Sequence, residues 1–221
     1  DRAYHNEIGS LISGTYDMCF VIKENYVSHK IPTQTKRQSP VHVAIKSLEP
    51  GEGKYFWIGT YSGLYKINNE EIVYRSDSDD EWQQSVYSIL ENNDNSLWLG
   101  TLNGLWEYKN GEYSSFGKKN KLLSHRINAL YKNNNNLFVG TKGKGLIVVD
   151  LNDYSTKVIN TENGLSSNSV TSIAGYKKEI WIGTNKGVNR LKFSNNTLES
   201  ISRIDNGQGL KGDEINQILI D

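Results

Sequence analysis

The strongest constraint on this sequence is a four-residue pattern that returns at nearly even intervals. A large apolar residue, a second apolar residue, glycine and threonine stand at residues 57–60, 98–101, 138–141 and 181–184, with a weaker copy at 12–15. The glycines of the five copies are 45, 41, 40 and 43 residues apart. Such self-similarity indicates a supersecondary unit repeated along the chain, because each unit has to bury its apolar surface against its neighbours.

Each copy continues in the same way on both sides of the pattern. Two or three residues separate the threonine from a glycine, which predicts a tight turn into a second apolar strand, since glycine readily takes the positive φ of such turns. These glycines are Gly63, Gly104, Gly145 and Gly187. Another short apolar strand is predicted upstream at 86–89, 127–130, 170–173 and 215–218, and a more polar one downstream at 112–116, 156–159 and 198–201. Each repeat therefore predicts four antiparallel strands, named A to D in chain order.

The pattern of strands predicts an all-β fold. Apolar residues nowhere keep helical spacing for about eleven residues, and glycine recurs throughout. A four-stranded unit of about forty residues is the blade of a β-propeller, and five repeats are present. Strand D, the most polar, is expected at the outer edge of each blade. The large residue of strand B, such as Trp57, is expected to fill the space between blades rather than to stack on a ligand.

The repeats also set the expected domain organisation. We expect a single propeller segment over residues 1–221. Its blades are expected at about residues 1–38, 39–82, 83–123, 124–166 and 167–211, with 212–221 as the inner strand of a further or closing blade. Five repeats and a spare strand favour a portion of a larger propeller. The alternative is a closed five-bladed ring in which residues 215–220 replace the N-terminal strand.

Composition limits the partners that the chain can take. Its 25 basic and 25 acidic residues cancel, so no general electrostatic attraction to nucleic acid is expected. The single cysteine, Cys19, excludes an internal disulfide. No apolar run approaches the roughly 18 residues of a membrane span, so any attachment to a membrane has to come from parts of the protein outside this chain.

No group of residues in the sequence suggests catalysis or metal binding. The four histidines are far apart and have no metal-ligand spacing; they are His5, His29, His42 and His125. The acidic residues at 77–81 lack the glycine and distal glutamate of a calcium loop. We therefore predict no catalytic residue, no metal site and no cofactor. An enzyme would require paired carboxylates that converge in the centre of the propeller.

Strand order locates the expected binding face. With four antiparallel strands, the B–C turn and the D–A crossover leave each blade at the same end, and loops on a rigid scaffold usually carry recognition. Aromatic rings there can stack on sugar faces, and amides can donate and accept hydrogen bonds. The candidate ligand-binding residues are Tyr16, Tyr61, Trp82, Asn103, Asn168 and Asn185. Each can also be a turn residue that binds no ligand.

The repeat resembles that of the two-component regulator propeller family. The resemblance rests on Trp-Ile-Gly-Thr, a turn, Gly-Leu, and then an Asn-Gly-Leu or Gln-Gly-Leu that leads into the next A strand, as at 163–165 and 208–210. It covers essentially the whole chain. The Trp-Asp dipeptide that ends the repeats of WD40 propellers is absent.

The resemblance implies a role and a location. Members of that family generally close seven blades and form the extracytoplasmic sensor region of histidine kinases, often hybrid ones of Bacteroidetes that regulate polysaccharide use. It thus implies a periplasmic, non-enzymatic domain that senses an oligosaccharide or another small ligand, in a receptor that is a homodimer. The alternative is a protein-interaction scaffold of a secreted or surface complex.

Overall fold

A computed structural model describes residues 2–5, 11–14, 18–23, 26–32, 45–50, 55–61, 63–68, 71–76, 84–194 and 197–220. Side chains are described for residues 55–61, 63–66, 73, 76, 84–193 and 197–220. Within these ranges the chain forms twenty strands and three short 3₁₀ helices. The strands make five four-stranded sheets, in each of which spatial order follows chain order. The all-β, four-stranded repeat is therefore confirmed.

The chain divides into two compact units, which are described separately. The first unit comprises residues 1–102 and 107–114, and the second comprises 103–106 and 115–221. The first unit contains two complete sheets, named blades one and two, and much of blade three. The division falls within the C and D strands of blade three, which contribute residues to both units.

The strands of the first three blades are short, as propeller strands usually are. Blade one consists of β1 (Arg2–His5), β2 (Leu11–Gly14), β3 (Met18–Lys23) and β4 (Tyr26–Pro32). Blade two consists of β5 (Ile45–Pro50), β6 (Tyr55–Thr60), β7 (Leu64–Asn68) and β8 (Glu71–Arg75). Blade three consists of β9 (Val86–Glu91), β10 (Leu97–Thr101), β11 (Gly104–Lys109) and β12 (Glu112–Ser115).

The second unit contains blades four and five. Blade four consists of β13 (Ile127–Asn133), β14 (Asn136–Thr141), β15 (Leu146–Asp150) and β16 (Thr156–Ile159). Blade five consists of β17 (Val170–Tyr176), β18 (Glu179–Thr184), β19 (Gly187–Ser194) and β20 (Thr197–Ile204). The 3₁₀ helices Lys121–Ser124, Thr161–Asn163 and Asn206–Gln208 lie in the crossovers that follow the D strands.

Large residues of the B strands lie buried between blades, as predicted. Phe138 is 1% exposed and belongs to a core shared by blades four and five, in which its ring lies 5.3 Å from that of Phe193 at 78°. Trp57 is 4% exposed; its ring lies 5.9 Å from that of Tyr108 in blade three, and its indole nitrogen donates to Glu91 Oε1 at 3.2 Å. These contacts confirm a structural role for this position of the repeat.

A β-bulge recurs near the start of the A strand and aims one residue at the next blade. In blade four Ile127 pairs with Thr141 and Ala129 with Gly140, which leaves Asn128 as the extra residue. The Asn128 amide donates to the carbonyl of Val170, the first residue of the next A strand, at 2.8 Å. Thr171 is the extra residue of blade five, and its hydroxyl donates to the carbonyl of Ile215.

Residues 212–220 form no strand, in contrast to the inner strand expected at 212–221. The segment nevertheless lies where a sixth A strand would begin. Ile215 N donates to Thr184 O at 3.0 Å, and a Cβ on Gly183 would lie 2.8 Å from Ile215 Cγ2, much as one on Gly140 would meet Val170 Cγ1 at 2.5 Å. A strand requires a hydrogen-bonded neighbour, and among the described residues no strand pairs with this segment.

Candidate functional site

The B–C turns and the D–A crossovers meet at one end of the blades, as predicted. In the second unit, Gly143 N and Gly145 N both donate to Asn168 O, at 2.8 and 2.9 Å, and Gly187 N donates to Asp213 O at 2.6 Å. In the first unit, Leu102 N donates to Ser85 O at 3.0 Å. Each bond joins a turn to a crossover. We call this end of a unit its crossover end, and the end with the A–B and C–D turns its opposite end.

The B–C turns of blades two, four and five are each held from inside by the threonine of the repeat. The buried Thr60, Thr141 and Thr184 hydroxyls donate to the carbonyls of Gly63, Gly145 and Gly187, at 2.9, 2.8 and 2.9 Å respectively. The same oxygens accept from backbone N–H groups of the turn, such as Lys144 N at 3.0 Å. The threonine therefore satisfies the polar groups of the turn, and the residues at its tip keep their side chains in solvent.

The crossovers are stiffened by capped 3₁₀ helices. Asn160 Oδ1 accepts from Glu162 N at 2.9 Å, and Asn163 Oδ1 accepts from Asn160 N at 3.2 Å, which together form a capping box. Gly164 then takes φ 100° and ends the helix. Asp205, Gln208 and Gly209 repeat the arrangement after blade five. The Asn-Gly-Leu lead-in of the sequence thus has a structural cause.

Among the candidate binding residues that the structure describes in the first unit, Tyr61 is an exposed aromatic. It is 43% exposed at the B–C turn of blade two, and its ring lies edge-on to the buried Tyr87 ring at 6.2 Å. Ser85 Oγ donates to Tyr61 O at 2.9 Å, and Ser85 O accepts from Leu102 N, so one crossover serine holds two neighbouring turns. Leu102 is 47% exposed. Tyr16 and Trp82 lie outside the described residues.

The three asparagines differ in what their side chains do. Asn103 and Asn185 are exposed at B–C turns. Asn168 is half-buried, and its Oδ1 accepts from Thr161 N at 2.9 Å, so its side chain braces the crossover. Asn185 N donates to Ser169 O at 3.3 Å, which brings Asn168 and Asn185 together at the crossover end of the second unit.

Two kinds of residue at this end are not among the candidate binding residues predicted from the sequence. Asn189 is fully buried, its Oδ1 accepts from Ser166 N at 2.8 Å, and its amide nitrogen faces Gly164 O at 3.4 Å. The sequence did contain a signal for Asn189. It is a polar residue at the C-strand position that Ile147 occupies in blade four. The turns of blades four and five also carry exposed lysines, at 142, 144 and 186.

A second aromatic cluster lies at the opposite end of the first unit. The Lys66 ammonium lies 3.5 Å from the centre of the Tyr55 ring and 4.9 Å from that of Trp57. Glu91 Oε1 accepts from Tyr55 OH at 2.7 Å, in addition to its bond from Trp57. Lys66 and Glu91 thus engage the same rings, and the cluster joins blades two and three.

No metal-binding group is found in the described parts of the chain: no three His, Cys, Asp or Glu residues come together there. His125 Nδ1 lies 3.3 Å from Leu122 O in the crossover before blade four. None of the described helices is long and apolar enough to cross a membrane.

Comparison with protein families supports the repeat identified in the sequence. The family model described as "Two component regulator propeller" matches residues 81–103, which include strands A and B of blade three. The resemblance to that family is therefore confirmed over this part of the chain. A search of curated proteins finds no match.

Solved structures are similar over nearly the whole chain. The extracellular domain assigned to a hybrid two component system of B. thetaiotaomicron matches with a TM-score of 0.80 at 16% identity, over 96% of this chain and 29% of that one. The extracellular domain assigned to a one component system of the same organism matches at 0.72 and 20%, over 99% and 30%. The WD40 β-propeller domain of Doa1 matches at 0.71 and 13%, over 97% and 70%.

At such identities the similarity shows the fold alone. It confirms a partial β-propeller of four-stranded blades. This chain spans about three tenths of the length of the two B. thetaiotaomicron domains. It is thus a propeller domain with the fold found in extracellular domains assigned to a hybrid two component system and to a one component system.

Proposed function

We propose that this chain is a non-enzymatic, ligand-sensing part of the extracytoplasmic region of a two-component sensor, and that its ligand is an oligosaccharide. The observation that carries the proposal is the family match at residues 81–103, together with the two extracellular domains of similar fold. Fold alone does not fix function. The proposal therefore needs residues that can bind a ligand, and the exposed side chains at the crossover ends of the two units support it.

The crossover ends of the two units offer two features that suit a sugar ligand. Tyr61 offers an exposed ring whose orientation is held by Tyr87. Asn103 and Asn185 are exposed at B–C turns, and the turn that carries Asn185 is held in place by Thr184 and Gly187. A rigid aromatic ring can stack on the apolar face of a pyranose, and an exposed amide can bind its hydroxyl groups. In this proposal the domain is periplasmic, and ligand shifts the equilibrium of a homodimeric receptor that is anchored in the membrane by parts outside this chain.

Isothermal titration of the purified chain against a panel of oligosaccharides tests the proposal. We expect at least one glycan to bind, and Tyr61→Ala to weaken that binding about tenfold, as loss of one stacking ring usually does. Tyr176→Ala is the matched control, because Tyr176 is 49% exposed at the end of an A strand, at the opposite end of the second unit. Binding that Tyr176→Ala weakens as much as Tyr61→Ala would contradict the proposed face. If no glycan of the panel binds, the proposal that the ligand is an oligosaccharide is wrong.

A second candidate function is a protein-interaction scaffold. Leu102, which is 47% exposed beside Tyr61, favours it because a leucine contributes to protein interfaces but offers little to a sugar. Leu102→Ser distinguishes the two functions. The substitution should leave glycan affinity unchanged in a sugar sensor and should weaken capture of a protein partner in a scaffold.

A further inference from the structure

The neutral charge of the whole chain conceals an imbalance between its two units. The second unit, residues 103–106 and 115–221, contains fifteen Lys and Arg against nine Asp and Glu. The first unit contains ten against sixteen. The second unit therefore carries a net charge of +6 within a chain whose net charge is zero.

Within the second unit, the excess of positive charge lies at the crossover end. The turns at 142–144 and 185–186 and the crossovers at 117–126, 160–169 and 205–214 carry eight Lys and Arg against four Asp and Glu. At the opposite end, the turns at 133–135, 150–155, 177–178 and 194–197 carry two lysines and two aspartates. Charge thus distinguishes the two ends of one unit, and a field of one sign attracts ligands of the other.

Hydrogen bonds hold the two lysine-bearing turns on either side of one crossover segment. The turn of blade four, with Lys142 and Lys144, donates to Asn168 O through Gly143 N and Gly145 N. The turn of blade five, with Lys186, donates to Ser169 O through Asn185 N. Because Asn168 and Ser169 are consecutive residues, the backbones of both turns are anchored within a few ångströms of each other.

The three ammonium groups are not used for internal ion pairs. Lys142, Lys144 and Lys186 are exposed, and none of them forms an ion pair with any described residue. Of the four acidic residues at this end, Asp205 pairs with Arg203 at 3.1 Å. The other three, Glu162, Asp213 and Glu214, are exposed in the crossovers. Positive charge is therefore in excess where the two turns meet.

We propose that the lysine-bearing turns of blades four and five bind the carboxylate or sulfate groups of an acidic oligosaccharide. The inference rests on the proposed function and narrows it to a class of ligand. Lysine suits such groups because its ammonium is a mobile point charge that meets an anion without a fixed geometry. The exposed amide of Asn185 lies in the same turn as Lys186 and supplies a partner for sugar hydroxyls.

Titration calorimetry with two matched ligands tests the inference. An oligogalacturonate and the same oligomer with its carboxylates reduced to alcohols are each titrated into the full 221-residue chain, at about 50 and 200 mM salt. A sulfated oligosaccharide of equal length and its desulfated form make a second pair. We expect one charged member to bind at least tenfold more tightly than its neutral counterpart, with a difference that shrinks as salt is raised.

Matched double variants assign the effect to the turns. Lys142→Gln/Lys144→Gln should weaken binding of the acidic ligand about tenfold at low salt, and Lys177→Gln/Lys178→Gln at the opposite end should leave it unchanged. All four lysines are exposed, so both variants should melt within a few degrees of the parent chain. Equal losses in the two variants, or equal affinity for a single-stranded DNA of the same charge, would overturn the inference.

The outcomes separate this inference from the proposed function. Binding only to neutral glycans, unaffected by the lysine variants, overturns the acidic ligand and keeps an oligosaccharide sensor. Absence of binding to charged and neutral members alike overturns both.

Discussion

Glycine at single positions decides whether the B–C turns can form. Gly143 and Gly145 lie in one turn and both have positive φ, 107° and 81°. A Cβ on Gly145 would lie 2.4 Å from Ile159 O, which is backbone and cannot move aside, whereas a Cβ on Gly143 would meet nothing within 4 Å. The two residues therefore separate the conformational need for glycine from the steric one.

We predict that Gly145→Ala destabilises the chain much more than Gly143→Ala. Gly143→Ala only forces alanine into the left-handed backbone conformation, which costs about 1–2 kcal/mol of folding free energy. Gly145→Ala adds a clash with the backbone of Ile159 and should cost more than about 3 kcal/mol, or prevent folding. Urea denaturation of both variants measures the difference. Equal unfolding free energies would show that the contact with Ile159 is not limiting.

The charge of Asp94 stabilises the turn between strands A and B of blade three. Lys109 Nζ donates to Asp94 Oδ2 at 2.7 Å, and Ser96 donates to Oδ1 through its hydroxyl at 2.6 Å and its N–H at 3.2 Å. These bonds, that of Lys109 first, hold the pKa of Asp94 well below its ordinary value of 3.8. The contribution of the ionised carboxylate to stability is therefore complete above about pH 4.

We predict that this contribution is lost as the pH falls below 3.8 toward the lowered pKa of folded Asp94. The free energy of unfolding of Asp94→Asn should differ from that of the parent at pH 7, and the difference should shrink below pH 4. Because Asp94 and Lys109 are both about half exposed, the effect is small and should weaken with added salt. An NMR titration measures the pKa directly. A value at or above 3.8 would contradict the assignment, and Lys109→Met should raise it.

At the scale of single elements, the bulge in strand A connects one blade to the next. Asn128 donates across the blade boundary to Val170 O, and its Oδ1 accepts from Arg126 Nε at 2.9 Å. The carbonyl of the fully buried Val170 would lose this partner if the amide were removed.

We predict that Asn128→Ala lowers the free energy of unfolding by about 1–2 kcal/mol. Asn135→Ala is the control, because its amide donates to Asn152 Oδ1 at 3.0 Å in an exposed turn within one blade. That variant should stay within about 0.5 kcal/mol of the parent. Urea denaturation measures both. Similar losses in the two variants would argue against a special role for the bulge.

Elements show clearly what the sequence could and could not predict. Strands B and C were predictable because the turn between them depends on local chemistry. The threonine places a buried hydroxyl in the turn, and the following glycine takes its positive φ. The bracing role of Asn168 was not predictable, since its partner Thr161 depends on how the crossover folds. Residues 212–220 carry the apolar pattern of strand A without a strand, because pairing depends on a neighbour that the pattern does not reveal.

At the scale of the whole molecule, equivalent residues of successive blades have unequal surroundings. Phe138 and Trp181 hold the same place in the repeat. Phe138 is 1% exposed, packed against blade five, whereas Trp181 is half-buried with the Arg190 guanidinium 5.8 Å from its ring. The segregation of charge between the two units likewise follows from which blade a residue belongs to, and composition alone gave no sign of it.

We predict that Phe138→Ala destabilises the chain by about 3–5 kcal/mol, as deletion of a buried aromatic ring usually does. Trp181→Ala should cost less than half as much, although it removes more atoms, because part of its ring already faces water. Urea denaturation of the two variants provides the comparison. A larger loss for Trp181→Ala would mean that burial between blades does not set the contribution of this position.

The inward-facing threonine in the B–C turns of blades two, four and five has an evolutionary consequence. Because Thr60, Thr141 and Thr184 bond the backbone of these turns from within, the turn backbone does not depend on the identity of the side chains at the tip. Tyrosine, asparagine and lysine occupy these tips in different blades, so binding specificity can change at a tip while the turn that carries it is kept.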